Sequence, residues 1–148
     1  MRKFLKYVKF HYGIKYGHIF NFLLKRILFT HNYDLITPVP AHFIRNFRRF
    51  VQPAYIIAKI LAKNNNMKYE QVLKRVKKTD YQWKFKKKER GKNIKGAFCL
   101  DSDVKGLKIL LVDDIITTGS TINECSKVLK ENGSKKVDVF CLAKGKFI

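Results

Sequence analysis

One segment, residues 109–121 (ILLVDDIITTGST), constrains the fold of this chain more than any other feature. Its apolar start predicts a buried strand of the kind found in parallel sheets, where both faces are covered. Two adjacent carboxylates, Asp113 and Asp114, stand at the carboxyl end of this strand, which is where ligands bind in open α/β sheets. The segment therefore predicts an α/β fold with a ligand site at one edge of the sheet.

A small, hydroxyl-rich turn follows the two acids and opens a helix. Its residues are Thr117, Thr118, Gly119, Ser120 and Thr121. The glycine allows the backbone to approach a ligand closely, and the positive end of the next helix favours a phosphate group there. The carboxylates suit ribose hydroxyls or a hydrated Mg²⁺ ion. The alternative is a purely structural turn with Asp114 or Thr117 as helix cap, although a cap needs only one such residue.

The rest of the chain continues the alternation of strands and helices. Short apolar runs predict strands, at residues 34–39, 69–76, 107–112 and 137–142. Apolar residues at three-to-four spacing predict helices, at residues 18–30, 52–63 and 121–132. The first of these helices is expected to pack on the core, with a membrane or DNA surface as the alternative. Strand–helix–strand repetition implies a mainly parallel central sheet in a single domain of 148 residues.

The net charge is high and unevenly distributed. The whole chain carries a formal charge of +21, whereas residues 101–148 contain eight Lys or Arg against seven acids. A charge of this size destabilises a compact fold by self-repulsion unless an anion neutralises it. The expected partners are therefore nucleic acid, phosphorylated small molecules or anionic lipid.

The basic residues are densest at residues 74–95, where eleven Lys or Arg stand with two acids. Tyr81, Trp83 and Phe85 alternate within this segment and share one face if it is extended. Such a face can stack bases while lysines follow the phosphates of a single strand. The alternative is a solvated substrate loop with Trp83 in the core. The nucleic-acid candidates are Trp83, Lys84, Lys86, Lys87 and Lys88.

The three cysteines, Cys99, Cys125 and Cys141, are far apart and form no CxxC pair. We therefore expect neither a zinc site nor a disulfide, and scattered thiols fit a reducing cytoplasm. The longest apolar segment, residues 19–24, is far below the ~20 residues that a membrane span requires. The sequence predicts a soluble cytoplasmic protein without a membrane span.

Residues 109–121 resemble the phosphoribosyl diphosphate (PRPP) signature of type I phosphoribosyltransferases. The chain as a whole resembles the ComF family of competence-associated, phosphoribosyltransferase-like proteins. The further matching stretches are residues 34–42 (DLITPVPAH), 48–52 (RRFVQ), 77–82 (KKTDYQ) and 89–98 (ERGKNIKGAF). Together with the signature they extend the resemblance over nearly everything from residue 30 onward.

The resemblance implies a three-layer type I phosphoribosyltransferase-like fold over residues 31–148, with a helical lead-in at residues 1–30 packed on the core. It implies that Asp113 and Asp114 contact the ribose hydroxyls and a PRPP-bound Mg²⁺, and that residues 117–121 hold the 5′-phosphate. The diphosphate would lie near the turn that contains Pro40, Ala41 and His42, with Arg90 as its contact from the basic segment. His42 is either an acid/base near the diphosphate or a structural turn residue.

Two departures from the family stand out. The family usually has glycine and asparagine where this chain has Arg49 and Val51. Many members also carry an amino-terminal four-cysteine zinc module, whose ligands are absent here, so no zinc is expected in this chain.

The resemblance implies a protein that binds PRPP with Mg²⁺ and acts in natural transformation, in the uptake or processing of single-stranded DNA with DNA-uptake proteins as partners. The reaction class would be pentosyl transfer with Asp113, Asp114 and Arg90 as catalytic residues, although no residue marks the acceptor or a general base. One alternative is a non-catalytic nucleic-acid-binding protein with a regulatory PRPP site. Another is a nucleotide-salvage phosphoribosyltransferase.

Overall fold

The computed structural model of the chain describes residues 16–40, 52–76 and 94–144. These residues form three helices and five strands. The helices are α1 (Tyr16–Leu24), α2 (Pro53–Asn64) and α3 (Ser120–Glu131). The strands are β1 (Leu35–Pro38), β2 (Leu73–Arg75), β3 (Phe98–Leu100), β4 (Lys108–Ile116) and β5 (Lys136–Lys144).

β4 lies between β1 and β5, and both neighbours run parallel to it. The pairing with β1 ends at Pro38 opposite Val112, whereas the pairing with β5 continues to Ile116 opposite Lys144. β2 and β3 form a separate antiparallel pair. The predicted α/β fold with a mainly parallel sheet is confirmed, and β4 is four residues longer at its carboxyl end than the sequence indicated.

The two faces of the parallel sheet are covered by different helices because side chains alternate along a strand. Ile109 and Leu111 of β4 belong to a cluster with Ile122, Cys125 and Leu129 of α3. On the other face, the alternate residues Leu110 and Val112 belong to a cluster with α1 and α2, which contribute Phe20, Leu24, Ile57 and Leu61. The result is a three-layer arrangement with β4 at its centre.

α1 packs on the core, as the sequence predicted, but it ends earlier than residue 30. Phe20 and Leu24 are fully buried, whereas Leu28 is 72% exposed. Two contacts from Asn65 hold the chain in a non-helical path: its side-chain amide donates to the Ile27 carbonyl at 3.1 Å, and its Oδ1 accepts from the Phe29 amide at 3.0 Å. The prediction of a helix over residues 25–30 was therefore wrong, and the domain division at residue 30 stays a prediction.

The segment predicted as a strand at residues 69–76 is divided between the two sheets. Tyr69 makes a single parallel bridge to Ile36 of β1, and only Leu73–Arg75 forms a strand, which pairs with β3. The hydroxyl of Thr37, fully buried, accepts a hydrogen bond from the Val72 amide at 3.4 Å, where the chain passes from one sheet to the other.

The other two helices agree with the sequence to within one residue at each end. α2 begins with Pro53 at its first position, and α3 is followed by Gly133 in the left-handed region, with φ of 87°. Among the residues described, no helix is long and apolar enough to cross a membrane.

Candidate functional site

The two acids of the signature lie within β4, close to its carboxyl end. Asp113 continues the series of Ile109 and Leu111 on the side of α3, and it is half-buried. Asp114 is 8% exposed, and the regular alternation of β4 is broken here, because Ile115 packs with Leu110 and Val112 whereas Ile116 packs with Ile109 and Leu111. Both acids lie past Val112, the last residue of β4 that pairs with β1, so they stand at the carboxyl edge of the sheet.

The thiols around Asp113 are consistent with this placement. Burial raises the pKa of Cys125 on α3, and the negative charge of Asp113 raises it further. Burial also raises the pKa of Cys141, which is directly opposite Asp113 on β5, and the Asp113 charge again adds to the shift. Both thiols are therefore held in the neutral form. Cys125 is fully buried and serves as a small apolar residue of the core.

Backbone amides orient both carboxylates. The Asp114 amide donates to Asp113 Oδ1 at 2.8 Å, and the Ile115 amide donates to Asp114 Oδ1 at 3.0 Å. Carboxylate oxygens are the ligands that Mg²⁺ prefers, and this ion is usually held by one or two carboxylates together with the phosphates of a substrate. The donor set at this edge therefore fits Mg²⁺. In the parts of the chain that the structure describes, no three His, Cys, Asp or Glu side chains form a metal-binding group.

The turn after β4 leads into α3 through a glycine at the N-cap position. Gly119 is the N-cap residue of α3, in the left-handed region with φ of 79°, and it has no side chain to cap the helix; the Ser120 amide donates to Thr118 Oγ1 at 3.4 Å. The alternative in which Asp114 or Thr117 caps α3 is therefore wrong. Thr118 Oγ1 and Ser120 Oγ are 2.9 Å apart, so their hydroxyls are already linked. The first amides of a helix have no partner within the helix.

The structure brings several of the predicted site residues to one edge. Asp113, Asp114 and residues 117–121 are joined there by Pro40, which is buried and lies two residues after the end of β1. The Val39 amide donates to the Val112 carbonyl at 2.8 Å, which fixes the end of β1 beside β4. The remaining candidates lie outside the described residues: Ala41, His42, Trp83, Lys84, Lys86, Lys87, Lys88 and Arg90.

Three residues near this edge were not singled out from the sequence. Glu124 of α3 accepts a hydrogen bond from the Gly96 amide at 2.5 Å. The guanidinium carbon of Arg75 lies 5.3 Å from the ring centre of Phe98, and its positive charge acts to lower the pKa of Cys125. Lys144 stands opposite Ile116 at the end of β5. The helical spacing of Glu124 from Ser120 was a usable signal, because residues four apart share a helix face.

Residues 48–146 match the family described as the phosphoribosyl transferase domain. The chain belongs to this family. The chain is also 36% identical to competence protein F of Haemophilus influenzae over 115 residues, which are 75% of this chain and 50% of that protein. It is 35% identical to the DNA utilization protein YhgH of Salmonella typhi over 112 residues, 75% of this chain and 49% of that protein. The chain thus spans about half the length of these curated relatives.

Among solved structures, the fold is similar to that of a glutamine phosphoribosylpyrophosphate amidotransferase from B. subtilis. The TM-score is 0.60 with 17% identity, over 93% of this chain and 30% of that one. The type I phosphoribosyltransferase-like fold and the similarity to competence proteins predicted from the sequence are both confirmed.

Proposed function

We propose that the β4–α3 element of this phosphoribosyltransferase-like domain binds PRPP together with Mg²⁺. The observation that carries the proposal is the order of groups at one edge of the sheet. Two amide-oriented carboxylates lie near the carboxyl end of β4, and a left-handed glycine then opens α3. This order matches the order of groups in a ribose 5-phosphate, whose hydroxyls and phosphate need acceptors and donors respectively.

Each part of the element has a distinct task in this proposal. The carboxylates of Asp113 and Asp114 accept hydrogen bonds from the ribose hydroxyls. The amides that begin α3 donate to the 5′-phosphate together with one hydroxyl of the linked pair Thr118 and Ser120, since the other hydroxyl donates within the pair, and the helix dipole adds to this attraction. These two hydroxyls are 2.9 Å apart and already hydrogen-bonded, so binding of the phosphate removes little further side-chain freedom. Pro40, Ala41, His42 and Arg90 take the diphosphate end of the ligand.

The reaction available at such a site is displacement of diphosphate from C1 of the ribose by an acceptor, through an oxocarbenium-like state. Bound Mg²⁺ would supply charge neutralisation of the leaving diphosphate. The residues of this chain contribute by fixing the ribose between β4 and α3 and by holding the phosphate still. We propose turnover only at the level of this reaction class, and we name no particular acceptor.

We further propose that the domain acts on or with single-stranded DNA in the cytoplasm, together with proteins of DNA uptake. The names of its relatives, competence protein F and DNA utilization protein, support this role. The charge supports it as well, because one PRPP molecule neutralises only a small part of +21. Residues 74–95 are the proposed contact, since they combine eleven Lys or Arg with three alternating aromatic side chains.

Isothermal titration of the wild-type chain with PRPP and Mg²⁺ tests the ligand assignment. We expect saturable binding of one PRPP per chain, and markedly weaker binding of ribose 5-phosphate or of PRPP in the presence of EDTA. Wild-type protein that binds PRPP no better than ribose 5-phosphate would contradict the assignment. Release of diphosphate during incubation with a panel of nucleobases then separates turnover from binding alone.

Gly119→Ala is expected to weaken PRPP binding, because an alanine at φ of 79° is strained by about 1–2 kcal/mol and the turn relaxes away from its phosphate-binding shape. The added Cβ would meet only Asn123 Nδ2, at 3.9 Å, so the effect is conformational rather than steric. Gly106→Ala is the matched control, because Gly106 has φ of 76° and an added Cβ there meets nothing within 4 Å. Both variants should lower the melting temperature similarly, and only Gly119→Ala should raise the dissociation constant for PRPP.

A further inference from the structure

One hydrogen bond ties α3 to the antiparallel pair of strands. The backbone N–H of Gly96 donates to Glu124 Oε1 at 2.5 Å, across a sequence separation of 28 residues. Gly96 lies two residues before β3 and has φ of 66°, so its peptide N–H is presented to α3 by a turn that favours glycine. Glu124 lies one helical turn after Ser120, at the end of α3 that carries the proposed phosphate site.

The position of this carboxylate is electrostatically costly if α3 binds a phosphate. A negative side chain about one turn from a bound dianion repels it, although the same charge stabilises an unliganded helix start. An uncharged residue at this position would allow tighter phosphate binding, so the acid is expected to have another role. The hydrogen bond from the Gly96 amide provides such a role.

The turn at residues 94–97 has apolar contacts with α3 as well. Ile94 and Ala97 are buried in the cluster that contains Ile122 and Cys125 of the helix. The Ala97 carbonyl also accepts from the Val76 amide at 2.8 Å, so the turn joins the end of β2 to the start of β3. Apolar contacts are less directional than hydrogen bonds, and therefore they constrain less tightly how far along α3 the turn sits. The Glu124 hydrogen bond is directional and fixes this position.

We propose that Glu124 is a positioning residue for the PRPP site: its carboxylate holds the turn at residues 94–97 against the start of α3. This inference rests on the proposed function of the β4–α3 element. When the contact is lost, a fraction of molecules has the turn displaced from the helix start. The apparent association constant for PRPP is then the intrinsic one multiplied by the fraction of molecules that remain in the binding arrangement.

Two substitutions separate the hydrogen bond from the charge. Glu124→Gln keeps an acceptor oxygen for Gly96 and removes the negative charge, so its PRPP–Mg²⁺ affinity should equal the wild-type value or exceed it by up to about threefold. Glu124→Ala removes both, and it should bind about three- to tenfold more weakly than Glu124→Gln, the range of a net protein hydrogen bond. Exchange of the Gly96 amide with solvent should be faster in the alanine variant alone.

Glu131→Ala is the control for charge on the same helix. Glu131 is the last residue of α3 and its contact is with Lys127, at 3.6 Å, so its loss should leave PRPP affinity unchanged. Equal affinity of Glu124→Ala and Glu124→Gln, with wild-type protein that binds PRPP, overturns the positioning role and leaves the PRPP site intact. Wild-type protein that does not bind PRPP overturns the proposed function, and the positioning role with it.

Discussion

Replacing Asp113 by asparagine is expected to weaken binding of PRPP with Mg²⁺ by about 100-fold. Asparagine keeps the size of the side chain and an Oδ1 that still accepts from the Asp114 amide, so the end of β4 retains its shape. What is lost is the negative charge on the α3 side of the sheet. A hydrogen bond to a charged group contributes about 1.5–3 kcal/mol, which corresponds to roughly 10- to 150-fold in affinity.

Asp114→Asn tests the second acid under the same conditions. Its carboxylate is more deeply buried than that of Asp113 and holds the Ile115 amide at 3.0 Å. We expect a loss of PRPP affinity here too, and no measurable binding when both acids are replaced by alanine. The measurement is titration of each variant with PRPP at fixed Mg²⁺, with circular dichroism as a check on the fold.

Asp138→Asn is the matched control for these substitutions. Asp138 lies near the start of β5, away from the carboxyl edge, where it accepts from the Tyr33 hydroxyl at 2.8 Å and pairs with Lys136 at 2.7 Å. Its replacement also removes one negative charge from the parallel sheet, and PRPP affinity should not change. Wild-type affinity in the double alanine variant would overturn the ligand assignment of β4.

The parts of the fold that the sequence predicted well are those with strong local signals. A continuous apolar run identified β4, and Gly133 marked the end of α3 because a left-handed residue commonly follows a helix. Pro53 marked the start of α2, since its fixed φ suits the first position of a helix. Each of these signals acts within a few residues of the feature it determines.

The parts that were wrong depend on contacts between distant residues. α1 ends at Leu24 although apolar residues continue at helical spacing, because Asn65, from another helix end, binds the backbone at Ile27 and Phe29. Residues 69–76 contribute to two sheets, which no periodicity within the segment indicates. The bond between Glu124 and Gly96 joins residues 28 apart, so neither local spacing nor composition pairs them.

The position of the acid pair inside the strand was not anticipated either. The apolar run predicted a strand that ends at residue 112 with both acids after it, but β4 continues through the acids to Ile116. The strand extends because β5 remains paired with it through Lys144. That pairing partner lies 28 positions further along the chain and could not be inferred from the signature itself.

Single-stranded DNA is expected to bind the wild-type chain with an affinity that falls steeply as salt rises. Replacing Lys84, Lys86, Lys87 and Lys88 together by alanine should reduce the slope of log affinity against log salt by up to about 2.8, at about 0.7 for each phosphate contact. At 0.1 M salt this corresponds to a loss of about 100- to 1,000-fold. Fluorescence anisotropy of a labelled oligonucleotide at several salt concentrations measures both quantities.

A second set of four lysines separates local contacts from total charge. Lys105, Lys108, Lys130 and Lys135 lie where β4 and β5 begin and α3 ends, at the opposite end of the parallel sheet from the carboxylates. Their replacement by alanine removes the same charge from the chain. If DNA follows the basic segment, this control keeps the wild-type salt slope; equal loss in both variants means that DNA responds to net charge alone, which contradicts the proposed contact.

Trp83→Ala distinguishes base stacking from phosphate attraction within the same segment. Stacking of a base on an aromatic ring contributes about 1–3 kcal/mol, so affinity should fall by about 5- to 150-fold while the salt slope stays constant. A tryptophan in the core would instead lower the melting temperature and leave the affinity of the folded protein unchanged. A drop in affinity at constant slope, together with the slope change in the lysine variant, requires bases and phosphates to be bound by the same stretch of chain. A free nucleotide carries too few phosphates to give the change in salt slope in addition to the stacking effect. If both effects are observed, the anion that neutralises this domain is a polymer.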